Sequence, residues 1–197
     1  MKYLKYALLL SVILLTSCFG DKKTIVGEEL GTAFTENKSF SGNRYSFSDL
    51  PENLGEIISM NEVKLQYADA HVTEAKEDEV RRYSGKYCDF MILFDSSMAT
   101  TFSRGFLSVV KDFEDDSDWK EQWQSKLTSL KSAESVANLG KAAIWIGKQR
   151  KLEVKMDGYT IFLNVPATNS INEPDAKQHD YKNSAIAILK NSKFFKN

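Results

Sequence analysis

The chain is expected to fold as an α+β domain, a mainly antiparallel sheet of about five strands packed with about three helices. Three stretches carry that expectation. Asp157-Gly158 separates two alternating apolar runs, Trp119, Trp123, Leu127 and Leu130 recur at helical spacing, and Tyr181, Ala185, Ile188 and Leu189 do so again near the C-terminus. Strands joined by short turns pair antiparallel, and amphipathic helices need a sheet face to cover.

At the N-terminus, Met1 to Lys5 carries Lys2 and Lys5 and no acid, and Tyr6 to Leu15 is nearly all Leu, Val, Ile and Ala. A spanning helix needs about 18 or more apolar residues, so this run has the length of a signal h-region instead. Thr16 and Ser17 are small, as a peptidase requires beside the bond it cuts, and Cys18 follows. Leu15-Thr16-Ser17-Cys18 resembles the lipobox of bacterial lipoproteins: an aliphatic residue, two small residues and cysteine. The resemblance covers residues 1–18. It implies that residues 1–17 are a signal peptide and that Cys18 is lipidated on its sulfur and becomes the first mature residue, its amino group acylated as well. Two or three acyl chains make a lasting anchor, at about 0.8 kcal/mol per buried methylene. Phe19 stands where aspartate would retain such a protein in the inner membrane, so the resemblance implies the outer membrane, facing either side.

Residues 18–44 read as the lipidated cysteine and a flexible tether, and residues 45–197 as a single domain. Gly20, Gly27, Gly31 and Gly42 interrupt a polar stretch without period, and about 25 disordered residues would span roughly 28 Å r.m.s.. Thr24-Ile25-Val26 and Ala33-Phe34 are apolar enough to pack on the domain instead. The 197 residues less 17 leave 180, enough for one sizeable core. The mature chain holds 24 basic and 27 acidic residues, a formal charge of −3. No basic surplus exists to grip nucleic acid, and the implied membrane contact runs through the lipid on Cys18. With that sulfur occupied, Cys88 has no intramolecular disulfide partner; it reads as a buried strand residue, with a reactive thiol or intermolecular bridge as the rival reading.

Further along, Ser59-Met60-Asn61-Glu62 fits a capping box and places Met60, Val63 and Tyr67 on one helical face, although Val63 to Tyr67 also alternates like a strand. Residues 68–85 are highly charged and read as a solvated loop with a fringe of strand. Tyr87 to Phe94 and Phe106 to Val110 with its flanks are expected strands. Asp118 and Glu121 form a capping-box-like pair at the next helix, whose tryptophans point to the core, with ligand stacking as the lesser reading. Lys141 to Ile146, Lys151 to Met156 and Tyr159 to Val165 are three more strands. Asp157-Gly158 suits a type I′ turn, which pairs Met156 with Tyr159, Val154 with Ile161 and Leu152 with Leu163 on one apolar face. The last helix is expected over Glu173–Asn191, capped by Asn172 with Pro174 in its first turn. This order of elements is similar to that of the PsbP/Mog1-like α+β domains of other exported lipoproteins, a resemblance that carries no functional residue over.

The chemistry is sparse. His71 and His179 each stand alone among polar residues, and His179 is expected to face solvent. There is no H-x-x-x-H, C-x-x-C, G-x-S-x-G, P-loop or G-x-G-x-x-G, so no catalytic residue, cofactor or metal is assigned. Asp112, Glu114, Asp115, Asp116 and Asp118 have the oxygen chemistry of a calcium loop, but Ser117 and Trp123 stand where an EF-hand needs glycine and glutamate. They read instead as a solvated acidic loop that also favours the N-terminus of the next helix through its dipole. Gly147-Lys148-Gln149-Arg150-Lys151 is a basic tip, suited to discouraging edge pairing or to touching an anionic lipid. These features suggest a lipid-anchored, non-catalytic binding or assembly module with an envelope protein or glycan partner. An envelope enzyme would need a polar pocket; an immunity or inhibitor lipoprotein would need an exposed charged or aromatic face.

Overall fold

The computed structural model describes residues 35–78, 85–94, 101–113, 117–168 and 179–196. Among these residues seven strands make one sheet: β1 (Val72–Glu77), β2 (Lys86–Phe94), β3 (Thr101–Lys111), β4 (Ala133–Val136), β5 (Ala142–Ile146), β6 (Lys151–Lys155) and β7 (Tyr159–Asn164). They lie in the order β1-β2-β3-β7-β6-β5-β4, every pair antiparallel. Three α-helices occur among the described residues: α1 (Met60–Gln66), α2 (Trp119–Ser129) and α3 (Tyr181–Lys190). The α+β class and the antiparallel sheet hold, but the sheet has seven strands where about five were expected. The two additions, β1 and β4, are its edges. β1 reads Val-Thr-Glu-Ala-Lys-Glu and β4 only Ala-Glu-Ser-Val, so neither shows a long apolar alternation. Short, charged strands are what sheet edges use to discourage pairing with other chains.

The β6–β7 hairpin has the expected register, with Val154 opposite Ile161, Leu152 opposite Leu163, and a bond from Met156 N to Tyr159 O of 2.9 Å. The turn type differs. Gly158 has φ of +79°, but Asp157 is not in the left-handed region, so the turn is not type I′. Asn43 explains the difference: its side chain donates to Asp157 O (2.6 Å) and accepts from Asp157 N (2.9 Å), holding that peptide as a pairing strand would.

Two helix starts also need correction. Ser59 does cap α1, accepting from Glu62 N, while the Glu62 carboxylate turns outward to Gln66 and Asn191. Asp118 precedes α2 without a side-chain cap bond, because its carboxylate accepts from the Gln122 side chain instead. α3 begins at Tyr181, with Asp180 accepting from Asn183 N. Asn172 and Pro174, expected in that role, lie outside the described residues.

Alternation sorts the strands into two faces. On the first, Cys88, Phe90, Ile92, Leu107, Val109, Ile161, Leu163, Leu152, Val154 and Trp145 pack under α1, α3 and the segment around Leu50–Ile58. On the second, Trp119, Trp123 and Leu127 of α2 cover Ala133, Ala142, Ile144 and Ile146. α2 is also tied by charge. Glu153, buried on β6, sits 2.6 Å from both Lys126 and Lys151, and the buried Lys155 lies 2.8 Å from Asp112. The chain from residue 35 is joined to this framework as well: Asn37 bonds Lys141 O and Gly140 O, and Phe40 packs on the core.

Gly105 is required by close approach. A Cβ there would fall 2.6 Å from the Phe90 ring and 2.6 Å from Asn164 O, inside the β2–β3–β7 contact. Gly105→Ala is expected to destabilise the domain by about 1–3 kcal/mol in urea unfolding; an unchanged midpoint would contradict the packing. Burial pushes the Cys88 thiol up from its ordinary 9.0 to about 12, with Glu77 and Asp89 adding to the effect. It pushes the Tyr159 phenol from 10.0 to about 12, with Asp157 contributing, and Tyr67 moves the same way. The unfolded chain therefore releases protons that the folded chain retains, and stability falls as pH rises from about 9 towards 12. A urea midpoint that stays level across that window would refute this.

Candidate functional site

The end of α1 and the start of α3 bring Asp69 to His179 and Ser184, which follow it by more than 100 residues. Asp69 lies in the 3-10 turn Ala68–Ala70, and His179 directly precedes the Asp180 cap. His179 Nδ1 is 2.9 Å and 3.1 Å from the two Asp69 carboxylate oxygens, and its Nε2 is 2.9 Å from Ser184 Oγ. Tyr67 stacks on the imidazole with centroids 4.4 Å apart, and Tyr181 meets it edge-on at 4.9 Å. His179 is thus buried, not solvent-facing as expected. The later start of α3 leaves it outside the helix, where the chain passes under Tyr67.

Carboxylate, imidazole and hydroxyl in that order are the arrangement of an activated serine nucleophile. Access decides against that chemistry. Ser184 is buried within the first turns of α3, and its hydroxyl also reaches the Gln66 carbonyl at 3.3 Å. A reacting carbonyl must come within about 3 Å of the nucleophile, and buried Oγ offers no such approach. What the cluster does is satisfy buried polar groups while fastening α3 to α1. The Tyr67 hydroxyl extends it to Pro166 O (2.8 Å), and the Tyr181 hydroxyl accepts from Thr168 N (2.9 Å).

The second face of the sheet offers a different kind of site. α2 covers β4 and β5 and reaches β6, but over β3 the face is open. Phe102, Phe106 and Val110, alternating with core-facing Leu107 and Val109, are 54%, 39% and 54% exposed; Phe113, just beyond the strand, is 90% exposed. Their neighbours on this face are Leu93, Met91 and Asp89 of β2 and Phe162 and Asn164 of β7. Arg104 stands between Phe102 and Phe106. Its guanidinium lies 4.7 Å over the Phe102 ring, and its Nε is 2.6 Å from Asp78, whose carboxylate is buried. The face is thus mixed, with Arg104 and Ser108 alternating with the exposed apolar side chains and Asp89 and Asn164 on either side of Phe106.

Other sequence candidates fare as follows. Cys18 lies outside the described residues. Cys88 is buried and its thiol is held protonated, the opposite of a reactive cysteine. Of the acidic run, Asp112 is engaged by Lys155 and by the Thr160 hydroxyl (3.1 Å), and Asp118 by Gln122; Glu114, Asp115 and Asp116 lie outside the described residues. In the basic tip, Arg150 bonds Val165 O and lies over the Tyr181 ring, while Lys151 pairs with Glu153. His71 occupies a left-handed turn position before β1. A pocket of about 480 Å³ beside the β6–β7 turn is lined by Asn43, Ser46, Phe47, Lys111 and Asp157. On its lining the Ser46 hydroxyl donates to the Asp49 carboxylate (2.6 Å), an exposed contact within one turn. Among the described residues no group of three His, Cys, Asp or Glu side chains could hold a metal, and no helix is long and apolar enough to cross a membrane.

The open face had a signal in the sequence that went unread. Phe106-Leu107-Ser108-Val109-Val110 is apolar at both parities, so both faces of that strand want cover. The His179 cluster had none, because Asp69 lies 110 residues away. A structural role for Ser184 predicts that Ser184→Ala lowers stability by about 1–2 kcal/mol and that a fluorophosphonate probe leaves the native protein unlabelled. Covalent labelling at Ser184 would overturn it. Comparison of the chain with protein-family models, curated proteins and solved structures finds no match, so the open face stands on its geometry alone.

Proposed function

We propose that this chain is a lipid-anchored lipoprotein of the outer membrane, held through acyl chains on Cys18, whose domain is a non-catalytic binding or assembly module of the cell envelope. The observation that supports a binding role is the half-covered sheet. A domain that spends a helix on β4–β6 and leaves Phe102 and Phe106 partly exposed on β3, with Phe113 exposed just beyond it, has kept apolar surface for a partner. The partner is an envelope protein or a glycan presenting an apolar surface. The anchor reading is supported by the Leu15–Cys18 sequence and the short apolar run before it. An inhibitor or immunity lipoprotein is the second reading, because an exposed aromatic face is also what blocks a hydrolase or toxin; toxicity of a neighbouring gene product upon deletion of this chain would favour it.

Two measurements test this reading. Cys18→Ala is expected to abolish labelling by radioactive palmitate and to move the protein from the membrane to the soluble fraction; retention of label would remove the anchor. Phe102→Ser with Phe113→Ser is expected to change stability by no more than about 0.5 kcal/mol per site, since both side chains already meet water, while abolishing cross-links to the partner in intact cells. Undiminished cross-links would place the binding surface elsewhere.

A further inference from the structure

The cleft beside the β6–β7 turn is assembled from distant parts of the chain. Phe47 with its flanking Ser46 and Ser48 lines it from the N-terminal segment, Lys111 from the end of β3, and Asp157 from the turn. Lys111 shares its parity with Leu107 and Val109, so the cleft belongs to the first face of the sheet, away from Phe102 and Phe106. We propose that this cleft binds a neutral saccharide through Phe47, Ser48 and Lys111. The open face over β3 plays no part in it.

The hydrogen-bonding capacity of the lining selects this ligand. Ser46 has one hydroxyl proton, and it goes to the Asp49 carboxylate. The 2.8 Å contact between the Ser46 and Ser48 hydroxyls is therefore donated by Ser48. Ser48 Oγ then has lone pairs but no proton to offer the cleft, and Asp157, with one oxygen 3.1 Å from Lys141, adds a further acceptor. Lys111 is the reverse: it carries three donors and makes no side-chain hydrogen bond or ion pair among the described residues. An inorganic anion would suit Lys111 but would set its oxygens against the Ser48 lone pairs and the Asp157 carboxylate. A cation meets the opposite conflict at Lys111. A sugar hydroxyl both donates and accepts, so a polyol satisfies all three groups. A peptide backbone also carries both functions, but free strand edges are what hold it, and here Asp112 N already donates to Gly158 O.

Size and rigidity suit it as well. The volume of about 480 Å³ falls within the roughly 300–1,000 Å³ of small-molecule sites, which combine aromatic walls with a few fixed polar groups. Phe47 is half-buried and pinned, its ring centroid 6.4 Å from that of Tyr159 and 5.4 Å from the Lys86 ammonium. It supplies an apolar wall for the C–H groups of a sugar ring. The two bonds from the Asn43 side chain to the Asp157 backbone hold the N-terminal segment against the turn. The walls are thus set before a ligand arrives, and little ordering cost is left to binding.

The test is an array of immobilised neutral and acidic oligosaccharides, probed with the full chain in a detergent that has no sugar headgroup. At least one neutral oligosaccharide is expected to be retained, with Lys111→Ala and Ser48→Ala each weakening its binding roughly tenfold. Lys76→Ala removes the same charge from β1 and is expected to leave binding unchanged. Ser48 and Lys111 are both exposed, so an unchanged urea midpoint verifies that each variant is folded. Failure to retain any neutral oligosaccharide overturns the proposal. Retention that survives both substitutions overturns the cleft, and a loss seen instead with Phe102→Ser and Phe113→Ser moves the sugar to the β3 face. Retention of acidic oligosaccharides alone, or displacement by inorganic phosphate, makes the cleft an anion site and overturns the neutral ligand.

Discussion

The pairing of β3 with β7 makes one sheet from two meanders. β1–β2–β3 and β4–β5–β6–β7 are each chains of antiparallel neighbours close in sequence, but Phe106 opposite Asn164 through Lys111 opposite Tyr159 joins strands some fifty residues apart. Closing so long a loop costs chain entropy before any contact repays it. The repayment is apolar: Leu107 against Leu163 and Val109 against Ile161 sit at the centre of the main core, all buried. Gly105 lets the join happen at close range, since the Phe90 ring and the Asn164 carbonyl occupy the space a side chain would take.

Once that join is made, the two faces are no longer equivalent. The first is sealed by α1, α3 and the Leu50–Ile58 segment. The second receives a single helix, and α2 is placed by charge as well as by its tryptophans. Glu153 and Lys155 are adjacent inward positions of β6, each buried and each neutralised, one by Lys126 and Lys151 and the other by Asp112. A buried charge is tolerated only with its partner in place, so the Lys126–Glu153 pair helps specify where α2 sits, while Lys155 with Asp112 ties β6 to the end of β3. Trp119 reinforces the arrangement, with the ammonium groups of Lys120, Lys141 and Lys155 each within 6 Å of its ring. Because β6 carries the charges, α2 stays on the β4–β6 half, and β3 is left open.

Local signals were readable in the sequence and distant ones were not. Ser59 caps α1 from three residues away, and the β6–β7 register follows from the apolar pairing on either side of Asp157-Gly158. The class of the fold and the stripes of α2 and α3 came from the same short-range patterns. The turn at Asp157 escaped because its geometry is set by the side chain of Asn43, 114 residues earlier. The environment of His179 escaped for the same reason. β1 and β4 escaped because an edge strand has a ladder partner on one side only and so does not need a two-sided apolar pattern. The open face was half readable: the doubled apolar parity of residues 106–110 was present, but nothing local says that α2 stops short of covering it.

The bonds made by Asn37 and Asn43 also bear on mechanics. Tension applied to the N-terminal side of the domain would first load Asn37 on Lys141 and Gly140, then Asn43 on Asp157. These contacts are taken up in sequence order and so would peel one after another at modest force. The β3–β7 ladder would have to shear as a unit. Under such a pull the segment would be expected to lengthen before the sheet, and the face that β3 presents, change shape.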